Sequence, residues 1–305
     1  MKRKKVALYD PYLDVYGGGE KHILSILQVL ADEGYEVSIF WDTDVSTPLK
    51  NKLNISFQQP ISYLPNIFKT KGNVFQKLKI LKQFDMFFYV PDGGYFFSAA
   101  DKNFVFAMYP DKNIYPTTLF NKLKTYNFKF IANSKYTQSW LVRWGIHAKV
   151  LYPFLEGEFV NFDFTRQVKQ KYILTVGRFY RHLHAKRQDQ AIKIFQSLQK
   201  EIPQLNDFTF ILAGGLKEED RPYFEELQNM IGYDSSIVLK PNIPFAELFD
   251  LYKQSLFYWH FAGYGVEEQK HPEAVEHLGI TPLEAMACGC VVFCFNAGGP
   301  KEIIH

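Results

Sequence analysis

Tyr172-Ile-Leu-Thr-Val-Gly177-Arg178 is a short apolar run, rich in β-branched residues and closed by a glycine and a cation. A run of this length bounded by turn residues reads as a buried strand. A helical pattern over 188–200 follows it, then a strand at 208–213, a helix at 220–231, a short strand at 237–239 and a helix at 245–254. Runs at 256–261, 281–288 and 291–295 continue the series as strand, helix and strand. The same alternation has already run once before residue 172. Strands are expected at 6–9, 36–41, 86–90, 103–107 and 128–132, with helices at 20–31, 75–82, 116–123 and 136–144. A polar, irregular stretch over 154–170 separates the two rounds. Strands alternating with helices imply parallel sheets covered on both faces. The expectation is α/β: two doubly wound, Rossmann-like domains, 1–160 and 161–305, facing each other across a ligand cleft.

The bulk properties agree. A chain of 305 residues suits two domains, because single cores stop growing near ~250–300 residues. An apolar fraction of 47% with 22% charged residues excludes a disordered chain. No apolar run approaches the ~18 residues that a membrane-spanning helix needs. Basic Met1-Lys-Arg-Lys-Lys leads into strand-like Val6-Ala-Leu-Tyr rather than a signal peptide, so a cytoplasmic protein is expected. Through Asp163 the chain has 20 Lys and Arg against 15 Asp and Glu, and beyond it 15 against 17. The basic first half suits an acidic acceptor or peripheral contact with the inner face of an anionic membrane, and equally a solvated lysine surface. Nothing resembles a nucleic-acid recognition motif. Cys288, Cys290 and Cys294 lack the paired spacing of a zinc site and read as buried thiols. His182 and His184 lack further ligands and read as exposed loop residues. No metal and no cofactor is expected.

Three segments carry chemistry. Gly17-Gly18-Gly19-Glu20 joins the first strand to the first helix, where glycines let a ligand approach backbone N–H groups. It is not the dinucleotide fingerprint, since His22 stands where the third glycine is required; this argues against a nicotinamide-dependent oxidoreductase. Arg178 closes a strand, and Lys186-Arg187 precede a helix, a placement suited to a diphosphate. Glu276-His-Leu-Gly-Ile-Thr-Pro-Leu-Glu284 sets two carboxylates about a helix start. Thr281-Pro282-Leu283-Glu284 has the form of a capping box, with Pro at the first helical position. That segment is either a cap alone or a site for an anionic, hydroxyl-rich ligand.

Taken in order, these pieces resemble retaining glycosyltransferases of family 4, which have the GT-B fold. The resemblance rests on Gly17–Glu20, Ala132-Asn133-Ser134-Lys135-Tyr136-Thr137, Val150-Leu-Tyr152-Pro153, Val176-Gly177-Arg178, Lys186-Arg187-Gln-Asp189, Ala213-Gly214-Gly215, Glu276-x7-Glu284 and Gly298-Gly299-Pro-Lys-Glu302. Gly263-Tyr-Gly-Val-Glu-Glu-Gln-Lys-His-Pro-Glu273 is similar to the lipid-linked oligosaccharide mannosyltransferase branch in particular. The resemblance implies transfer of a hexose from a UDP- or GDP-sugar to a glycan or glycolipid hydroxyl, with retention and without metal, in cell-envelope polysaccharide synthesis. By the family's pattern Arg178 and Lys186, with Arg187 beside them, hold the donor diphosphate, assisted by backbone N–H groups around Gly279, Ile280 and Thr281. Glu284 binds the ribose hydroxyls, Glu276 contacts the sugar, and Gly17, Gly18 and Gly19 close over the phosphate or acceptor. Glu276, Arg178 and Lys186 are then the catalytic set. Two departures stand out. Met108 precedes Tyr109-Pro110 where many relatives carry a histidine, and relatives continue for some tens of residues beyond the position of His305. Both leave room for a nucleotide-sugar-binding or scaffolding relative impaired in catalysis.

Overall fold

A computed structural model describes residues 3–69, 73–182 and 185–304, so His184 lies outside the described residues. The chain divides into units Met1–Pro153 and Phe154–His305. The first contains, in order, β1 (Lys5–Tyr9), α1 (Gly18–Asp32), β2 (Glu36–Phe40), α2 (Ser46–Leu53), β3 (Ser62–Leu64) and α3 (Val74–Leu81). Then come β4 (Met86–Tyr89), β5 (Lys102–Ala107), α4 (Leu119–Lys124), β6 (Phe128–Ala132), α5 (Lys135–Arg143) and β7 (Ala148–Val150). The strands form one parallel sheet ordered β3-β2-β1-β4-β5-β6-β7. A strand covered on both faces has no polar side, which is why β1 reads as an unbroken apolar run. Val6 and Leu8 pack with Ile23, Leu24, Leu27 and Leu49 of α1 and α2. Ala7 and Tyr9, pointing the other way, pack with Leu81, Phe87 and Phe128.

The second unit contains α6 (Gly157–Val160), β8 (Gln170–Val176), α7 (Gln188–Glu201), β9 (Thr209–Gly214), α8 (Arg221–Ile231) and β10 (Ile237–Pro241). It ends with α9 (Phe245–Gln254), β11 (Ser255–His260), α10 (Ile280–Ala287), β12 (Val291–Cys294) and α11 (Pro300–Ile303). Its five strands are parallel in the order β10-β9-β8-β11-β12. One face buries Phe195, Phe210 and Phe179, and the other buries Phe159, Tyr252 and Tyr258. Each such aromatic contributes about 1.5–3 kcal/mol on burial, so much of the large aromatic content serves the cores of the units.

Every strand and helix expected from the sequence is present, with shifts of a few residues at the ends. Some short elements were not foreseen. α2 buries only Leu49 and Leu53 in an otherwise polar stretch, and β3 and β7 are three-residue edge strands. The single-turn helices α6 and α11 were likewise not expected.

Candidate functional site

In the second unit the strand order turns back between β8 and β11, and sheets of this kind bind ligands beyond the strand carboxyl ends at such a point. Gly177 and Arg178 leave β8 there, and His260 ends β11. A Cβ on Gly177 would lie 3.1 Å from Lys186 Cδ and 3.2 Å from its Cβ. With no side chain at 177, the lysine stem lies against the strand end and its ammonium reaches Glu276, Nζ to Oε2 2.5 Å. The same carboxylate oxygen lies 2.8 Å from His260 Nε2, and Oε1 accepts from the His277 N–H at 3.3 Å. The Lys186 and Glu276 side chains are 21% and 14% exposed. Burial alone would raise the Glu276 carboxyl. The Lys186 ammonium and the His260 hydrogen bond more than offset it, holding the group well below the usual carboxylate range. For His260 burial prevails over the nearby carboxylate and lowers its pKa, which makes it a neutral imidazole donating Nε2–H.

The loop carrying Glu276 is fastened from behind. Gly299 N–H donates to the Glu276 carbonyl at 2.8 Å. Gly298, at φ 66°, and Gly299 lie so close on the backbone of 276–278 that neither has room for a Cβ. The glycine pair singled out in the sequence is thus a backing for the carboxylate's own segment.

The start of α10 corrects the sequence reading. Gly279, left-handed at φ 99°, is the N-cap, and no side chain caps the helix. Glycine reaches that conformation without strain, so the helix begins at Ile280, ahead of the expected Thr281 cap. Thr281 and Glu284 therefore form no capping box, and Pro282 sits third rather than first. Thr281 Oγ1 instead lies 2.8 Å from the Tyr258 hydroxyl, which is also 3.4 Å from the Val176 carbonyl, tying the helix start to the end of β8. Glu284 Oε2 accepts from the buried Tyr252 hydroxyl at 2.8 Å. The N–H groups of Ile280 and Thr281 belong to the first turn and have no carbonyl partner within the helix, leaving them suited to an anion.

Lys186, Glu276, Gly279, Ile280, Thr281 and Glu284 are thus gathered at one end of the second sheet. Arg178 stands at the same strand end, its guanidinium 4.6 Å from the Tyr180 ring centroid. Arg187 is turned to other work. It adopts φ 53°, and Nη1 donates to the Tyr264 carbonyl at 2.9 Å while Nε lies 3.3 Å from Asp189 Oδ1. It anchors the 263–266 turn to the start of α7. His260, Tyr252 and Tyr258 were missed in the sequence, where they read as core. The available signal for His260 was a histidine ending an apolar strand just before Gly263 and Gly265. Burial pushes the Cys288 and Cys294 thiols up to about 12 and Cys290 to about 11, so all three are protonated; Cys288 and Cys290 are core groups as expected, whereas Cys294 is only partly buried. His182 is exposed beside the Tyr180 ring.

In the first unit the strand order turns back between β1 and β4, and Asp10 follows β1. Its carboxyl is fully buried: Oδ1 accepts from Tyr12 N–H at 2.9 Å, and Oδ2 has no hydrogen-bond partner among the described residues. Burial, then the charge of Glu20, raises this carboxyl well above its usual range and favours the neutral acid. Gly17 N–H donates to Glu20 Oε2 at 2.7 Å, so one of the N–H groups expected to face a ligand caps α1 instead. Gly18 is exposed at the helix start, and Gly19 packs against Met108, whose Cγ would lie 3.2 Å from a Cβ there. The glycine loop and Met108, far apart in sequence, are therefore direct neighbours. Asn133 Nδ2 donates to the Met108 carbonyl at 2.7 Å, while Ser134 Oγ caps α5 by accepting from Thr137 N–H at 3.0 Å.

Residues 158–305, almost all of the second unit, match the family described as Glycosyl transferases group 1. Among solved structures, a glycosyltransferase from Rickettsia africae superposes with a TM-score of 0.71 over 100% of this chain and 82% of its own, at 14% identity. HepE of Anabaena, solved with UDP and glucose, gives 0.65 over 100% and 83% at 18% identity. WaaG, a glycosyltransferase of lipopolysaccharide biosynthesis, gives 0.61 over 98% and 83% at 15% identity. No curated protein sequence matches the chain significantly. These likenesses show the GT-B fold, and the match of residues 158–305 to the glycosyl transferases group 1 model supports glycosyl transfer as the chemistry. Among the described residues, no helix is long and apolar enough to cross a membrane, and no group of three or more His, Cys, Asp or Glu is placed to hold a metal ion.

Proposed function

We propose that this protein is a retaining glycosyltransferase of the family 4 type, moving a hexose from a UDP- or GDP-sugar to a hydroxyl of a glycan or glycolipid. The observation that carries the reading is the gathering of Lys186, Glu276 and the uncapped start of α10 where the second sheet turns back. In glycosyl transfer from a nucleoside diphosphate, negative charge grows on the departing diphosphate. Arg178, Lys186 and the Ile280 and Thr281 N–H groups supply positive charge for it and would lower the barrier electrostatically. Glu276 accepts a hydroxyl of the transferred sugar, and Glu284, braced by Tyr252, accepts from the ribose. Attack comes from the face the diphosphate leaves, with no protein nucleophile, metal or cofactor assigned. A two-carboxylate glycosidase scheme suits the site less well, because it needs both carboxylates across one sugar, whereas Glu284 is here assigned to the ribose.

The acceptor belongs to the first unit in this proposal. α4 leaves Leu119, Phe120 and Leu123 exposed by 86%, 62% and 57%, interleaved with Lys122 and Lys124. Apolar side chains among lysines suit the surface of an anionic membrane, where a glycolipid acceptor would be presented.

Thermal unfolding with UDP, GDP and NAD, in wild type and Glu284→Ala, tests the reading. A ligand at one hundred times its dissociation constant adds about 2.7 kcal/mol, a rise of several degrees. A rise with one nucleoside diphosphate, absent with NAD and lost in Glu284→Ala, supports the donor site and names the base. No rise with either nucleoside diphosphate refutes it. Binding without turnover over a panel of sugar nucleotides and acceptors would favour a non-catalytic relative, consistent with Met108 offering no proton beside Gly19.

A further inference from the structure

We propose that His260 is a positioning residue for Glu276, and that the Lys186–Glu276 contact is a pair the donor must separate on binding. The inference rests on the donor-site reading above. Glu276 Oε2 is held from two sides by groups of different mobility. Lys186 sits in the loop ahead of α7 on a four-carbon stem, its ammonium 2.5 Å from Oε2. His260 is built into the end of β11, its side chain 1% exposed and its ring stacked 6.3 Å from Tyr258 at 16°. Both cannot be kept once a diphosphate arrives. A diphosphate carries more than one negative charge and competes for the ammonium that a single carboxylate now holds. Lys186 swings to it, and the lone pair released on Oε2 becomes available to a hydroxyl of the sugar joined to that diphosphate.

The carboxylate must not follow the lysine. Its tie through Oε1 to His277 N–H is long at 3.3 Å and sets the aim of the group only loosely. His260, 2.8 Å from Oε2 and fixed in the sheet, supplies the hold that survives the exchange. The pair thus acts differently on two kinds of ligand. Free nucleoside diphosphate loses part of its affinity in breaking the ion pair and gains nothing at Glu276. A sugar nucleotide recovers that loss, because its sugar takes the place the ammonium left. The site is thereby biased toward the loaded donor over the spent nucleotide.

Isothermal titration with UDP, GDP, UDP-glucose and GDP-mannose separates the two effects. His260→Phe keeps a ring in the buried slot but cannot donate, and His260→Gln returns an N–H near the former Nε2. His260→Phe should leave nucleoside-diphosphate affinity within about twofold of wild type and weaken the matching sugar nucleotide about tenfold, with His260→Gln recovering most of it. Glu276→Gln should bind the free nucleoside diphosphate several-fold more tightly and lose preference for the sugar nucleotide. If His260→Phe weakens both ligands alike or neither, the inference is overturned while the donor site stands. Should His260→Phe not fold, His260→Asn, whose amide is too short to reach Oε2, takes its place. If wild type binds no nucleoside diphosphate, the functional reading itself falls, and this inference with it.

Discussion

Replacing Tyr252 by Phe removes one hydroxyl from the proposed ribose site and little else. The ring is fully buried, 5.6 Å from Phe159 and 6.0 Å from Tyr258 between centroids, so Phe fills the same space without a cavity. The lost hydroxyl donates to Glu284 Oε2 at 2.8 Å, and Glu284 is only 8% exposed. A hydrogen bond to a charged group contributes about 1.5–3 kcal/mol, so the second unit should lose about 2 kcal/mol. In a unit of roughly 150 residues each kcal/mol moves the melting temperature about 2–4 °C, giving an expected drop of roughly 4–8 °C by scanning calorimetry. The transition is assigned to the second unit by its response to nucleoside diphosphate, whose affinity should weaken as Glu284 loses its brace. Combining Tyr252→Phe with Glu284→Gln supplies the control: a neutral amide costs less to leave unpaired than a carboxylate, so the double variant should lose less than the sum of the singles. A drop under about 1 °C, or strict additivity, would show that Tyr252 does not support Glu284.

Two further expectations concern acid and membranes. Burial lowers His277 to about 4 and His260 in the same direction, both in the second unit. Between about 4 and the unfolded value near 6.5 the unfolded chain binds more protons at His277, so that stabilisation is present above about pH 6.5 and lost on acidification. In the first unit His22, lowered to about 4, acts in the same sense, but Asp10, raised by burial and Glu20, binds its proton more tightly when folded and opposes it. Acidification from about pH 7 to about 4.5 should therefore cost the second unit more than the first; equal losses in urea unfolding would contradict these assignments. For α4, sedimentation with phosphatidylglycerol vesicles should be lost in Leu119→Asn/Phe120→Asn and weakened by salt in wild type. Vesicle binding that survives both changes would place any membrane contact elsewhere.

The sheets were legible because parallel strands buried on both faces leave apolar runs with no alternation to confuse. α2 escaped because its buried Leu49 and Leu53 are too few to set a period, and β3 and β7 because three residues give no pattern. Within the candidate site, Lys186, Glu276 and Glu284 could be named, but their partners could not. The pairing of Lys186 with Glu276 spans 90 positions and depends on the gap left by Gly177. Thr281 misled because Thr-Pro-x-Glu carries every local mark of a cap, while the deciding fact, the left-handed turn at Gly279, lies two residues earlier. His260 was hidden by its company, since one histidine among Leu256, Phe257, Tyr258 and Trp259 reads as core until a carboxylate is found beside it.

The backing of Glu276 by Gly298 and Gly299 has a consequence for the order in which the molecule is completed. The segment that presents the carboxylate gains its 2.8 Å backbone bond only from a residue that follows the last strand of the sheet. During synthesis, β8 to β11 can pair, and Lys186, His260 and Glu276 can all be present, while the 276–278 backbone still lacks its contacts with Gly298 and Gly299. A nascent chain released only as far as Ala297 would have all five strands of the sheet but would lack the Gly299 bond to the Glu276 carbonyl. In the proposed donor site, the loop that carries Glu276 is thus backed only once two glycines, some twenty residues further along the chain and past the last strand, have been made.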